Sequence, residues 1–579
     1  MSKFIRVDMT SKTISTSDVP DQYAGIAGRA LTSAFVANEV KPTCHPLGKN
    51  NKIIFAPGFL TGTSAANSGR LSVGAKSPLT GGIKESNSGG TFSQKMARMG
   101  IKALVIEGMP AEDKFFVIKV DMSGVTIEEA PAEILGGCGN YKAIEVLSAK
   151  YGAKVGIALA GVAGEYRLAA ANISIKDPES NIRSAGRGGL GAVLGSKKVK
   201  AVVIDDTGAP GVTIADPEKF KEASRAFAKA LTTHPVTSQG LTLYGTDILV
   251  NIINEAGGLP TKNFTGGQND WNDNISGETL NANITARGGE GKVSHACHTG
   301  CIIKCSQHYT NKNGKYVTSG FEYETIWGLG ADACIKDLDD IADIDRAMDE
   351  IGVDSIETSV ALATAMEGGL IPWGDGKAAL DVVNQIAVPT PLGRLLGSGT
   401  SVIGKACGLF RVPVVKDQAI PAYDPRPIKG IGLTYATTPM GADHTSGYCI
   451  ATNILKVGGF VDPLKKEGQI ELSRNLQIAT AAVDSTGCCL FIAFAILDIP
   501  EGFNALVDMI NAQYGLSLTG DDVTELGKSV LRNERAFNKA AGFSNAHDRL
   551  PEFFEYEPCA PHNAVWDFKP EEIDEVFNF

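Results

Sequence analysis

The chain has 579 residues, 43% hydrophobic and 21% charged, a globular composition with length enough for several domains. Its net charge of −11 argues against a nucleic-acid partner, because contact with phosphate needs a basic surface. The first residues read as a short strand rather than a secretory leader, and no apolar stretch reaches the ~20 residues of a membrane span, so a cytoplasmic protein without a membrane span is expected.

In chain order, the first part is rich in short β-branched runs bounded by turns: Phe4 to Val7, Lys52 to Phe55, Ala103 to Glu107, Phe115 to Val120, Val155 to Leu159 and Val199 to Ile204. Helical pattern is sparse there. After Ala209-Pro the character changes. Asp216 reads as an N-cap with Pro217 at the first helical position. Ile335, Leu338, Ile341, Ile344, Met348 and Ile351 recur at spacings of mostly three and four, an amphipathic helix ended by Gly352. A second helix runs from about Ser355 to Met366. Four prolines between Pro413 and Pro427 mark a further boundary. The apolar run Cys488 to Leu497 reads as buried helix. The expected class is α+β: a β-rich N-terminal domain over 1–208, then two mainly α-helical domains over 209–412 and 413–579.

Glycine is unusually abundant, at 66 residues, and gathers in runs such as Ser88-Gly-Gly90 and Arg187-Gly-Gly-Leu-Gly191. Such runs let backbone approach a ligand closely. Their ordinary alternative is tight turns.

The strongest chemical signal is a cluster of thiols. Cys297, Cys301 and Cys305 fall within nine residues, and a fourth lies in Asp484-Ser-Thr-Gly-Cys-Cys489. Without an export signal, 11 cysteines read as metal ligands and free thiols, not as a disulfide framework. Three clustered thiols and one remote thiol form an iron–sulfur ligand pattern. Helical spacing would stretch the three over about 12 Å at ~1.5 Å per residue, too far for one cluster. The segment is therefore expected to bend as a loop, with Gly300 allowing the bend. Buried structural thiols and a zinc site are the alternatives, although zinc sites usually pair closely spaced cysteines on both sides. Spacing alone leaves the fourth ligand open between Cys488 and Cys489.

Further motifs identify a family resemblance. They are Asn67-Ser-Gly-Arg70, Lys76-Ser-Pro-Leu-Thr-Gly81, Asn87-Ser-Gly-Gly90 and the run Arg183-Ser-Ala-Gly-Arg187 onward to Lys197. Tyr244-Gly-Thr246, Ile252-Ile-Asn-Glu255, Asn263-Phe264 and Glu322-Tyr-Glu-Thr-Ile-Trp327 follow. Two Asp-x-x-Gly motifs come next, Asp349-Glu-Ile-Gly-Val-Asp354 and Asp484-Ser-Thr-Gly-Cys-Cys489, with Tyr423-Asp-Pro-Arg426 and Ala442-Asp-His-Thr445. In these motifs the chain resembles the tungsten-containing aldehyde ferredoxin oxidoreductases over nearly its whole length.

That resemblance implies a tungsten (or molybdenum) bis-pterin, a Mg2+ ion bridging the pterin phosphates and a [4Fe–4S] cluster. It implies Cys297, Cys301, Cys305 and Cys489 as iron–sulfur ligands, and Asn87 and the backbone of Ala185 as magnesium contacts. Arg70, Asp349 and Asp484 match pterin-contacting positions. The same motifs place Ser88, Gly89, Arg187, Gly352, Asp354 and Gly487 around the pterins. Glu324 and His444 match the active-site acid and histidine. Read alone, Glu324 would be a surface acid or helix cap and His444 a satisfied core histidine. One departure stands out. The family spaces its first cysteines Cys-x-x-Cys-x-x-x-Cys, which puts His298 at the expected first position and Cys297 one residue earlier.

The implied reaction is oxidation of an aldehyde to its carboxylic acid, with His444 hydrogen-bonding the carbonyl oxygen and Glu324 taking a proton. Electrons pass through the cluster to ferredoxin or a ferredoxin-like subunit, in a homodimer or hetero-oligomer. The rival chemistries are carboxylic acid reduction and aryl-thioester dearomatisation on the same cofactor, and plain iron–sulfur electron transfer without it.

Overall fold

A computed structural model describes residues 2–319 and 321–579. Strands β1 (Lys3–Asp8), β2 (Thr13–Asp18), β3 (Ile53–Pro57), β4 (Leu71–Lys76), β5 (Ile83–Ser88) and β6 (Ile101–Glu107) form one sheet, in the order β2-β1-β6-β3-β4-β5. Strands β7 (Phe116–Asp121), β8 (Gly124–Glu129), β9 (Gly156–Ala160), β10 (Ile173–Lys176), β11 (Ile182–Ala185) and β12 (Val199–Ile204) form a second, in the order β11-β10-β9-β12-β7-β8. Both are mixed: β1–β6 and β7–β12 pair in parallel and the remaining neighbours antiparallel.

The strand sequences dictate how these sheets stack. Alternate side chains point to opposite faces. Ile5, Val7, Ile53 and Phe55 of the first sheet share a core with Ile118, Ala158 and Val202 of the second. The intervening Phe4, Ile54 and Ala56 face outward onto helix Gly28–Glu39. On the far side Val117, Ile157, Leu159 and Val203 face helix Asn140–Tyr151. Apolar residues on both strand faces thus require four layers, helix–sheet–sheet–helix.

Each of the six expected strands is present within one or two residues. The two covering helices, 12 residues each, escape the sequence pattern. Gly28–Glu39 is buried from Gly28 to Val36 on every face, so it shows no apolar stripe.

Beyond residue 210 helices dominate. Helix Pro217–Thr233 begins as expected, with the Asp216 side chain accepting from the Lys219 N–H at 3.1 Å. Helix Leu338–Ile351 is capped by Asp337, so Ile335 is buried just before it, and Gly352 ends it at φ +79°. The run Cys488 to Leu497 is not one helix. Helix Gln469–Thr486 stops at Gly487, φ +82°, and helix Ile492–Asp498 begins after a turn that carries both cysteines. One apolar core joins Leu249, Trp327 and Ile341 to Tyr423, Trp566 and Val576. It crosses the expected boundary at 412/413, where the chain makes a small hairpin of Val414–Val415 and Gln418–Ala419. Among the described residues no helix is long and apolar enough to cross a membrane.

Candidate active site

The site lies where the ends of β4, β5 and β11 meet the helical part. A cavity of about 400 Å³ opens there. Cys297, Cys305 and Cys489 line it, together with Glu324 and His444 and the arginines Arg70, Arg183 and Arg187. Tyr423, Tyr448 and Phe494 also face the space, with Leu476 and Leu497.

The segment 296–305 is non-helical and turns through Gly300 at φ +85°, as the thiol spacing demands. Asn67 clamps it. Its backbone N–H donates to Gly300 O at 3.0 Å, and its carbonyl accepts from the Cys489 N–H at 2.9 Å. Its side-chain oxygen accepts from the Ile302 N–H at 3.1 Å, and its amide donates to Cys301 Sγ at 3.5 Å. One buried residue thereby holds the loop and the remote cysteine together. Asn67 also occupies a left-handed backbone at φ +56°, a conformation asparagine tolerates.

Cys489 rather than Cys488 reaches the cavity. Cys488 packs with Leu60 and Ile492, and burial pushes its thiol up to about 12. Cys297 differs from its neighbours. The hydrogen bond from Cys301 pulls its thiol well below the ordinary range, with His298 and Arg183 adding to the effect against burial. A thiolate is the metal-binding form. His298 is fully buried; its Nδ1 lies 3.2 Å from Cys297 Sγ, and its Nε2 has no partner. Cys297, His298 and Cys301 all present ligand atoms within 4.8 Å of one another. Cys297 lines the cavity and His298 does not. This donor set fits a cluster: four thiols, three of them lining the cavity, with backbone and amide N–H groups aimed at Cys301 (the Lys304 N–H lies 3.4 Å from its sulfur).

The acid and the histidine of the cavity are carried by two short elements. Glu324 sits in helix Tyr323–Ile326, which runs directly into a π-helical turn, Trp327–Asp332. The Ala422 N–H donates to its Oε2 at 3.1 Å. His444 projects from a turn in which Asp443 accepts from the Thr445 N–H at 3.0 Å and hydroxyl at 2.8 Å. Arg187 anchors that turn by donating to Ala442 O at 2.7 Å, and it also donates to Asp354 at 3.2 Å. His444 Nε2 lies 3.2 Å from Glu324 Oε1, yet Oε1 and His444 Nδ1 have no hydrogen-bond partner. Burial raises the Glu324 carboxyl to about 8 and lowers His444 to about 4. Near neutral pH the pair is a carboxylic acid beside a neutral imidazole.

Of the remaining predicted positions, Gly89, Asp349 and Asp354 line the cavity. Asn87 accepts from the Arg70 guanidinium, so it orients a residue that lines it. Ser88 and Ala185 flank the lining residues Gly89 and Ser184. Asp484 pairs with Arg29 at 3.2 Å, outside the wall. Gly352 and Gly487 also lie outside it. A Cβ on Gly58 would lie 2.0 Å from the Gly487 nitrogen, so packing alone fixes that approach. Three further charged residues line the wall: Arg183, Glu322 and Asp345. Asp345 stands one helical turn before Asp349, a spacing that places both on one face. Glu322, two residues before Glu324, accepts from the Thr246 hydroxyl at 3.1 Å.

Thiols sharing one cavity with a paired acid and imidazole, in a fold of two stacked sheets and a helical body, belong here to an oxidoreductase. The chain belongs to the aldehyde ferredoxin oxidoreductase family. The model of that family's N-terminal domain matches residues 4–206, and the model of its domains 2 and 3 matches residues 222–576. The tungsten-containing aldehyde ferredoxin oxidoreductase of Pyrococcus furiosus is 35% identical over 576 residues, 96% of this chain and 91% of that protein. The enzyme of the same name from Thermococcus kodakarensis is 35% identical with the same coverage of both. The aliphatic sulfonate oxidoreductase WOR-like subunit of P. furiosus is 23% identical over 96% of this chain and 90% of its own. Among solved structures, the active site complex BamBC of benzoyl coenzyme A reductase, in complex with 1,5 dienoyl-CoA, shares the fold. Its TM-score is 0.81, at 18% identity, over 99% of this chain and 93% of that one.

Proposed function

We propose that this chain oxidises aldehydes to carboxylic acids with a tungsten (or molybdenum) bis-pterin, and passes the electrons through a [4Fe–4S] cluster to ferredoxin or a ferredoxin-like subunit. The observation that carries the proposal is that the paired Glu324 and His444 share one cavity with Cys297, Cys305 and Cys489. Cys297, Cys301, Cys305 and Cys489 would hold the cluster. Arg70, Ser88, Gly89, Arg187, Asp349, Asp354 and Asp484 would surround the pterins, and Asn87 with the Ala185 carbonyl would hold Mg2+. When bound, these groups supply a two-electron couple next to a one-electron carrier.

The chain's own residues do the rest. His444 is neutral and can donate its ring N–H to the aldehyde oxygen, stabilising the charge that builds there. Glu324 takes the proton released as water adds to the carbonyl carbon, once its own proton has left. Tyr423 and Tyr448, whose hydroxyls lie 2.8 Å apart, close the space beside the imidazole and limit water.

The test is anaerobic purification with elemental analysis, followed by turnover of short and aromatic aldehydes with ferredoxin as acceptor. Iron near four atoms per chain, tungsten or molybdenum near one, and aldehyde-dependent ferredoxin reduction are expected. Iron with neither heavy metal points to a plain electron carrier. A full metal complement with activity only on carboxylic acids or aryl thioesters assigns the site to those rivals.

A further inference from the structure

On the outer side of the cysteine loop, two buried histidines face one carboxylate. A three-stranded sheet of Lys292–His295, Ser306–Thr310 and Tyr316–Ser319 carries the loop. His295 ends the first strand and His308 lies in the second. Their rings are 4.3 Å apart, and both residues are buried. Glu179, in the turn between β10 and β11, reaches over them. Its carboxylate lies 3.4 Å from His295 Nδ1 and 4.0 Å from His308 Nε2. One ligand atom from each of the three lies within 4.8 Å of the others.

We propose that Glu179, His295 and His308 form a binding site for a divalent transition ion of the zinc type, separate from the redox cavity. Two nitrogen or oxygen ligands about 2.0–2.1 Å from a tetrahedral ion stand about 3.3 Å apart. The observed 3.4 Å runs to one oxygen of Glu179 and the 4.0 Å to the other, so closing on an ion takes an inward movement of this exposed carboxylate together with release of the Asn181 amide from His308. The far nitrogen of His295 supplies an independent sign. Nε2 lies 2.9 Å from Oδ2 of Asp177, a fully buried carboxylate. That contact holds the ring so that Nδ1 is directed at Glu179, the carboxylate–histidine arrangement found behind metal ligands. Nε2 of His308 faces the Asn181 amide at 3.2 Å, whose place the ion would take. Lys292 pairs with Glu179 and is the cation that an incoming ion would displace. The Glu179 side chain is 44% exposed, so the site opens to solvent and keeps a fourth position for water.

Placement gives the ion a role. His295 lies two residues before Cys297 and bridges to Cys305. Asp177, which orients His295, also pairs with Arg183 of the cavity wall at 3.4 Å. An ion there pins the β10–β11 turn to the sheet that carries three of the four thiols.

The test is Zn2+ binding to holoenzyme, washed with chelator under anaerobic conditions, followed by calorimetry and elemental analysis. Wild type should take up one Zn2+ per chain. Glu179→Gln and His308→Asn should weaken binding at least tenfold while iron content stays unchanged. Lys292→Ala, which removes the competing cation, should tighten it. Equal affinity in wild type, E179Q and K292A overturns the proposal, as does wild type that takes up no Zn2+. Glu179 and Lys292 are exposed, so their variants read binding even if H308N folds poorly.

Discussion

A base that must first lose a proton held by burial leaves a clear mark on the pH profile. The Glu324 carboxyl is raised to about 8, chiefly by desolvation, and the His444 imidazole is lowered to about 4 by the same cause. Both shifts favour the uncharged form, so between these values Glu324 is a carboxylic acid and His444 a neutral imidazole that keeps a single ring N–H. A carboxylate with that pKa is about one-tenth populated at pH 7, about half at pH 8 and about nine-tenths at pH 9. Hence kcat/KM for aldehyde oxidation should climb roughly tenfold over those two units. An unperturbed glutamate, at about 4.3, would give a flat profile there. Glu324→Gln should cost about 10²–10⁴ in rate and remove the rising limb, with metal content intact. The assay is initial-rate reduction of a low-potential dye at saturating acceptor, across overlapping buffers. A wild-type profile that is flat from pH 7 to 9, or an E324Q enzyme with full metals and full rate, refutes the assignment of Glu324 as base.

Three other perturbations probe the scaffold of the site. Arg29 is fully buried and forks onto Glu534 at 3.0 and 2.9 Å while reaching Asp484 at 3.2 Å. Arg29→Met strands a buried carboxylate and should cost about 3–5 kcal/mol in chemical denaturation, partly restored in R29M/E534Q; a loss below about 1 kcal/mol refutes the reading. Asn67→Ala removes a donor to Cys301 Sγ and the acceptor for the Ile302 N–H. It should lower the cluster's reduction potential and speed iron loss to chelator, and a potentiometric titration matching wild type would count against it. Cys297→Ser should drop iron below four atoms per chain, whereas His298→Asn should retain four; the reverse outcome makes His298 the ligand.

Much of this architecture was legible from local pattern. β-branched runs predicted six strands, and the acid–proline pair at Asp216 predicted a helix start, because both signals are local. The thiol spacing likewise foretold a bent loop, since no helix brings three cysteines together. What stayed hidden depends on distant partners. Helix Gly28–Glu39 is buried from Gly28 to Val36 and lacks a periodic stripe. Asn67 stands in the motif Asn67-Ser-Gly-Arg70, which says nothing of its contacts with Gly300, Ile302 and Cys489, more than 230 residues away. Glu179 and His308 carry no motif at all; only the strand pairing and the β10–β11 turn place them side by side.

The same long-range closure explains how one segment sets both a thiol and an arginine of the cavity. The Asp484-to-Cys489 segment ends a helix, turns at Gly487 and delivers Cys489 to the cavity. Gly487 is wedged against Gly58 and Thr61, and its carbonyl accepts from the Arg70 N–H at 3.0 Å. Arg70 in turn donates to Asn87 and lies in the electrostatic reach of Cys489, Cys297 and Asp484. Cys489 and Arg70 are therefore linked through one backbone contact, while Asn67 ties the cysteine loop to the same segment. A Cβ at Gly487 would lie 2.1 Å from Thr61 Oγ1, in a left-handed conformation that disfavours any side chain. Gly487→Ala should accordingly displace Cys489 and Arg70 together. Iron content and the heavy-metal content should fall in parallel on elemental analysis, and loss of one with full retention of the other would show that the two residues are held separately.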